Sequence, residues 1–211
     1  VETNGHCGGG SVFLFDKIAS SEHWVQTLGS EQQYWKGSGN QRRFGMISKE
    51  LLKWYPLFAG MSPYLAKEIA MISNEIEVKE GEWLFYEEAP SDKFYIVIEG
   101  SISLTTNIYL DGKVHDIEAV DPIGPGEIVG WSALVEPHQY TLGGRARESC
   151  RLIEIDVVPF RNLLEDNPEF GYETMKHVSK IIRERMNNTC IQLLSLVLDF
   201  KRNSIEKTLT Q

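Results

Sequence analysis

The chain has 211 residues, 42% of them hydrophobic and 24% charged, and its 30 acidic against 21 basic side chains give a net charge of −9. That length holds one domain with appendages or two small ones, with enough chain for a sizeable core. The acidic balance excludes a protein that works by coating nucleic acid, and three widely spaced cysteines (Cys7, Cys150, Cys190) exclude a disulfide framework or a clustered metal site.

Residues 1–46 differ from the rest of the chain. Gly8-Gly9-Gly10-Ser11 and Gly37-Ser38-Gly39-Asn40 have the composition of flexible segments, and a short helix is expected over residues 16–28. The stretch reads as a leader, a partner-binding arm or sequence foreign to the domain. Order is expected from Ile47, with Leu51, Leu52, Trp54 and Leu57 in a short apolar helix and turn. Ser62-Pro63 then starts a second helix, serine as cap and proline in the first turn, with Leu65, Ile69, Ala70 and Ile72 as its buried stripe.

Between Glu75 and Ile155 the period is that of short strands: 76–78, 83–86, 94–98, 101–109, 113–120, 140–146 and 150–155, with Asp111-Gly112 as a hairpin turn. Strands this short, apolar and evenly punctuated by glycine predict a small antiparallel barrel or jelly roll. After Asp156 the pattern turns helical. A short helix covers 157–165, and Asp166-Asn167-Pro168 caps a long one over 169–200. Along it Ile182, Met186, Thr189, Leu193, Leu196 and Phe200 recur at spacings of four and three, a coiled-coil seam that Ile191, Leu194, Val197 and Leu198 widen.

Residues 79–104, KEGEWLFYEEAPSDKFYIVIEGSISL, carry a more specific signal. Gly81, Leu84, Glu87 or Glu88, Asp92, Tyr95, Ile96 and Gly100 fall where the opening of the cyclic-nucleotide-binding domain has its pattern, although Ala89 stands where that family has a glycine. Residues 125–134, PGEIVGWSAL, follow at the place of the family's ligand cassette. The chain therefore resembles the cyclic-nucleotide-binding superfamily over residues 47–200. The resemblance implies a mainly β fold with flanking helices: a double-stranded β-helix (jelly-roll) barrel over 47–166 with N-terminal helices, and a long C-terminal lid and dimerisation helix over 167–206. It also implies cAMP or cGMP as the candidate ligand.

Gly126, Glu127, Ile128 and Val129 match the start of the cassette, where glycine lets backbone approach a phosphate and Glu127 would contact a ribose. The plainer reading gives Gly126 to a turn and Glu127 to a helix first turn. The family then continues P-R-[AS]-A-[TS], its arginine forming a bidentate pair with the cyclic phosphate. Here the run is Pro137-His138-Gln139-Tyr140-Thr141, with His138 in place of the arginine. A histidine mostly neutral at pH 7 offers no charged fork, and losing such a bond removes about 1.5–3 kcal/mol, so weak cyclic-nucleotide binding, a different ligand such as a related small anion, or none is expected. Arg145 and Arg147 share one strand face, which points into the pocket or to solvent according to register. If Leu198-Asp199-Phe200 matches the family's helix end, Asn188 and Thr189 take the base-contact position. Thr189 serves equally well as a threonine bonded back to its own helix.

Residues 130–135 (GWSALV) with Pro137 and Tyr140-Thr141, then Phe170-Gly171-Tyr172-Glu173 and Gln192-Leu193-Leu194, are similar to a Crp/Fnr-type branch of single sensor domains without a helix-turn-helix. Eleven residues follow Phe200, too few for a DNA-reading half, so no direct DNA binding by this chain is expected. A non-enzymatic protein is expected too. His6, His23, His115, His138 and His177 are scattered without an H-x-H pair, and no nucleophile motif occurs. No apolar run reaches membrane-span length and residues 12–15 are too short for a signal core, which predicts a cytoplasmic protein with no membrane role. The expected partner is a second copy through residues 169–200. The alternatives are a ligand-free interaction module docking on a protein partner in a larger bacterial complex, and a truncated Crp/Fnr-type transcription regulator.

Overall fold

A computed structural model describes residues 42–110, 113–119 and 121–209. The glycine-rich segments, the helix expected over 16–28 and the Asp111-Gly112 turn lie outside the described residues. Within them, strands form two antiparallel sheets that face each other as a jelly roll. One sheet has the order β1 (Arg42–Met46), β2 (Ser73–Val78), β9 (Cys150–Asp156), β4 (Lys93–Glu99), β7 (Ile128–Val129). The other runs β3 (Trp83–Phe85), β8 (Gly143–Ala146), β5 (Ile102–Leu110), β6 (Lys113–Glu118).

Strand β1 lies in the segment that the sequence reading set apart, ahead of Ile47. It pairs with β2 from Arg42–Glu77 to Met46–Asn74, with a register shift between Arg43 and Gly45. Its neighbour lies some thirty residues downstream, roughly the span of both N-terminal helices, so no local periodicity announces it.

Helix α1 (Lys49–Leu52) is capped by Ser48, whose side chain accepts from the Leu51 amide, and a 3₁₀ turn follows at Pro56–Phe58. Helix α2 (Pro63–Met71) starts as expected: the Ser62 hydroxyl accepts from the Leu65 amide at 3.2 Å and Pro63 opens the first turn. Leu65, Ala66, Ile69 and Ala70 are its buried face. It ends where the Ser73 hydroxyl donates to the Ile69 carbonyl at 2.6 Å, at the first residue of β2.

Strands β4 and β9 are buried on both faces, which is why they read as apolar runs rather than as alternations. Phe94, Ile96, Ile153 and Ile155 point to a helical layer, whose centre is Phe160 set edge-on against Phe58, Phe94 and Phe170 at 5.0–6.3 Å. Tyr95, Val97 and Leu152 point the other way, into the barrel with Ile76, Phe85, Ile102 and Leu104. The helical layer is closed by α3 (Val157–Asp166) and the 42-residue α4 (Pro168–Leu209). At Gly171 the two approach so closely that a Cβ would sit 2.7 Å from the Leu164 carbonyl oxygen. Helix α4 packs on the barrel through its first half and then leaves it, and every side chain from 193 to 202 is exposed.

Candidate ligand cavity

The cassette begins as a turn. Gly126, at φ +85°, donates its amide to the Val97 carbonyl at 2.8 Å, and the Glu127 carbonyl accepts from the Val97 amide at 3.0 Å. The Glu127 carboxylate closes the same turn, with Oε2 accepting from the Gly124 amide at 2.7 Å. Ile128 and Val129 then pair with Ile96 and Tyr95 as β7. The helical turn starts only at Trp131, so Glu127 is not in a helix first turn, and Gly126 serves a turn as the plainer reading had it. Gly130 swings the chain from strand to 3₁₀ turn at φ +77°. A side chain there would be strained, and its Cβ would meet the Tyr140 ring at 3.1 Å.

Between this turn, the barrel and α4 lies a cavity of about 290 Å³, at the lower end of small-molecule pockets. Phe85, Leu104, Trp131, Leu142, Ile182 and Met186 give it apolar walls, Ser132, Thr141 and Thr189 add hydroxyls, and Arg185 is its one charged lining residue among the described residues. A smaller polar recess of about 60 Å³ adjoins it, formed by Asp121, Glu127, Asn188, Gln192 and the same Arg185 and Thr189.

Arg185 is the residue that sequence reasoning missed. The guanidinium reaches from α4 to the cassette, where Nη2 donates to the Ile128 carbonyl at 2.5 Å. That is its one hydrogen bond among the described residues, leaving four of its five N–H donors for solvent or a ligand. Burial draws the guanidinium below its ordinary pKa, and the neighbouring Glu127 carboxylate partly offsets this. A signal for it did exist. Val178, Ile182, Arg185, Thr189 and Gln192 follow one another at spacings of four and three, a row that shares Ile182 and Thr189 with the coiled-coil seam, and this is the row that faces the barrel. Val178 is buried and Gln192 donates to Asp121 Oδ1 at 2.7 Å. In the sequence, Arg183-Glu184-Arg185 has the look of a solvated charge run.

The remaining predicted site residues divide. Thr141 and Thr189 line the cavity, and Asn188 lies on the recess. Thr189 Oγ1 donates to the Arg185 carbonyl at 3.0 Å, so the back-bonded alternative describes it here. His138 is not on the cavity. It adopts φ +58° behind the Glu136-Pro137 bond and lines a separate groove with Glu136, Arg161 and Glu165 beside α3. Gln139 is exposed, its backbone bridged to Pro90. Tyr140 is buried inside the barrel, its ring stacked on Phe85 at 3.9 Å and its hydroxyl donating to the Lys93 carbonyl at 2.6 Å. Burial pushes its phenol pKa well up. Arg145 is also off the cavity: register puts Gly144 and Ala146 inside and Arg145 outside, where Nε donates to the Gly81 carbonyl at 2.9 Å and the guanidinium lies over Trp83. Arg147 faces outward as well, 3.7 Å from Glu118.

Among the described residues no group of three or more His, Cys, Asp or Glu is placed to hold a metal ion, and no helix is long and apolar enough to cross a membrane.

A jelly roll with a glycine-bearing cassette and a long helix over its mouth is the architecture of a ligand-binding regulatory domain. Residues 75–167 match the cyclic nucleotide-binding domain family. A cyclic nucleotide-binding protein from Geobacter metallireducens GS-15 is 30% identical, over 67% of this chain and 99% of that one, with a TM-score of 0.57. The N-terminal domain of a transcriptional regulator from Streptomyces coelicolor A3(2) is 26% identical over 65% of this chain and 93% of that domain, with a TM-score of 0.50. A CRP-like cAMP-activated global transcriptional regulator of Mycobacterium tuberculosis is 22% identical over 139 residues, and the chain spans 60% of its length. The chain belongs to the cyclic nucleotide-binding domain family.

Proposed function

We propose that this chain is a non-enzymatic, cytoplasmic sensor domain that takes a small anionic ligand, with cAMP and cGMP as candidates, into the cavity beneath α4. The observation that carries this reading is Arg185, a half-buried guanidinium on the cavity wall with one hydrogen bond to a backbone carbonyl. It supplies from the lid helix the positive charge that His138 does not supply from the barrel. Because Arg185 belongs to α4, an anion held by its open donors ties the ligand to that helix, and occupancy then biases how α4 packs on the barrel. The exposed apolar row beyond Gln192 suits pairing with a second copy, through which the shift would be passed on. The stack of Tyr140 on Phe85 favours a second reading, a ligand-free interaction module, since those rings fill part of the barrel.

Calorimetric titration with cAMP and cGMP separates the two. Binding that Arg185→Gln weakens at least tenfold is the expected result, given the worth of a charge-assisted bond. Arg145→Gln and His138→Ala should leave affinity within about twofold, because neither side chain lines the cavity. Equal affinity in wild type and Arg185→Gln would sink the reading, and an absence of heat with any anion would favour the interaction module.

A further inference from the structure

We infer that the ligand this cavity selects is an amphipathic monoanion, one carboxylate-like head on a compact apolar or aromatic body, in preference to a cyclic nucleotide. The inference rests on the reading above that an anion docks at Arg185, and it goes on to specify the rest of the molecule.

Three observations carry it. Six of the eleven lining residues have large apolar side chains, three of them from the barrel side (Phe85, Leu104, Leu142). Polar partners for a sugar are scarce: of the three lining hydroxyls, that of Thr189 is already donated to its own helix. Glu127, the carboxylate that the family resemblance assigns to the ribose, does not line the cavity at all. It holds the Gly124 amide at 2.7 Å and lies on the polar recess, with Arg185 lining both compartments. A bound nucleoside would leave ribose and base groups without partners in an apolar chamber, each costing about tenfold or more in affinity. An apolar body has no such cost, gains from every methylene removed from water, and leaves one anionic head for the four open donors of Arg185.

Octanoate and cAMP serve as the probes, titrated calorimetrically into the full chain, with 1-octanol testing the need for charge. The expected result is octanoate binding at least tenfold tighter than cAMP and at least tenfold tighter than octanol, with Arg185→Gln removing its advantage over the alcohol. Leu142→Trp, which fills the chamber from the barrel wall, should abolish octanoate binding while the helical and strand circular dichroism is retained. That variant separates the cavity from the exposed apolar row of α4. Tighter binding of cAMP than of octanoate, still dependent on Arg185, would overturn this inference and leave the anion-sensor reading standing. Octanoate binding unchanged in Arg185→Gln or in Leu142→Trp would overturn it as well. No binding of either anion would remove both.

Discussion

Tyr140 shows how one side chain reshapes an inherited site. Its ring lies against Phe85 and meets the space over Gly130, and its hydroxyl is spent on the Lys93 carbonyl. The volume that small residues leave free elsewhere in the family is therefore part of the barrel core. Tyr140→Phe keeps the stack and deletes one buried hydrogen bond, so it should cost about 1 kcal/mol in urea unfolding at neutral pH. The phenol pKa is raised in the folded state, so the neutral form is the one the fold holds. Its contribution is fully present below the unfolded value near 10 and is lost as pH rises toward the folded one. The gap between wild type and Tyr140→Phe should narrow from pH 7 to pH 10.5. A constant gap would show that the phenol titrates normally. The sequence shows a bulky Tyr140 where the family has a small residue, but not the ring on Phe85 or the bond to the Lys93 carbonyl, which depend on strands distant in the chain.

At the scale of elements, legibility followed how local the determinants are. The α2 start could be read from Ser62-Pro63 because cap and helix are adjacent, and the structure shows that cap bond. β4 and β9 were readable as apolar runs because each is covered on both faces. β1 and the two-residue β7 were not, since an edge strand with a distant partner and a strand of one turn-flanked dipeptide leave no period to find. Helix α4 was found and its seam was read as a pairing surface; the row that meets the barrel shares Ile182 and Thr189 with that seam and adds Arg185 and Gln192, polar positions that an apolar period does not mark. Beyond that row the seam is exposed to solvent: Leu193, Leu196 and Phe200 are 61%, 67% and 75% exposed. A charge there should prevent helix pairing without touching the barrel. Leu196→Glu is expected to turn a dimer into a monomer in sedimentation velocity with an unchanged thermal midpoint for the barrel. A wild-type monomer at micromolar concentration would contradict the pairing.

For the molecule as a whole, the jelly roll followed from glycine spacing and short-strand period, and the family from the resemblance of residues 79–104 and 125–134 to its motifs. The working chemistry did not follow, because it depends on which residue of a long helix reaches across to the cassette. Two cores share β4 and β9, one under the helices and one inside the barrel, and Arg185 ties the lid to the rim between them. Under the proposed function, ligand capture and lid position draw on the same guanidinium. The most direct test uses Cys190, exposed on α4 five residues beyond Arg185, as a nitroxide attachment site in a Cys7→Ser background, with Cys150 buried. Saturating anionic ligand should change the label's mobility in wild type and leave it unchanged in Arg185→Gln. An unaltered spectrum with ligand demonstrably bound would contradict the shared use of Arg185 by ligand and lid.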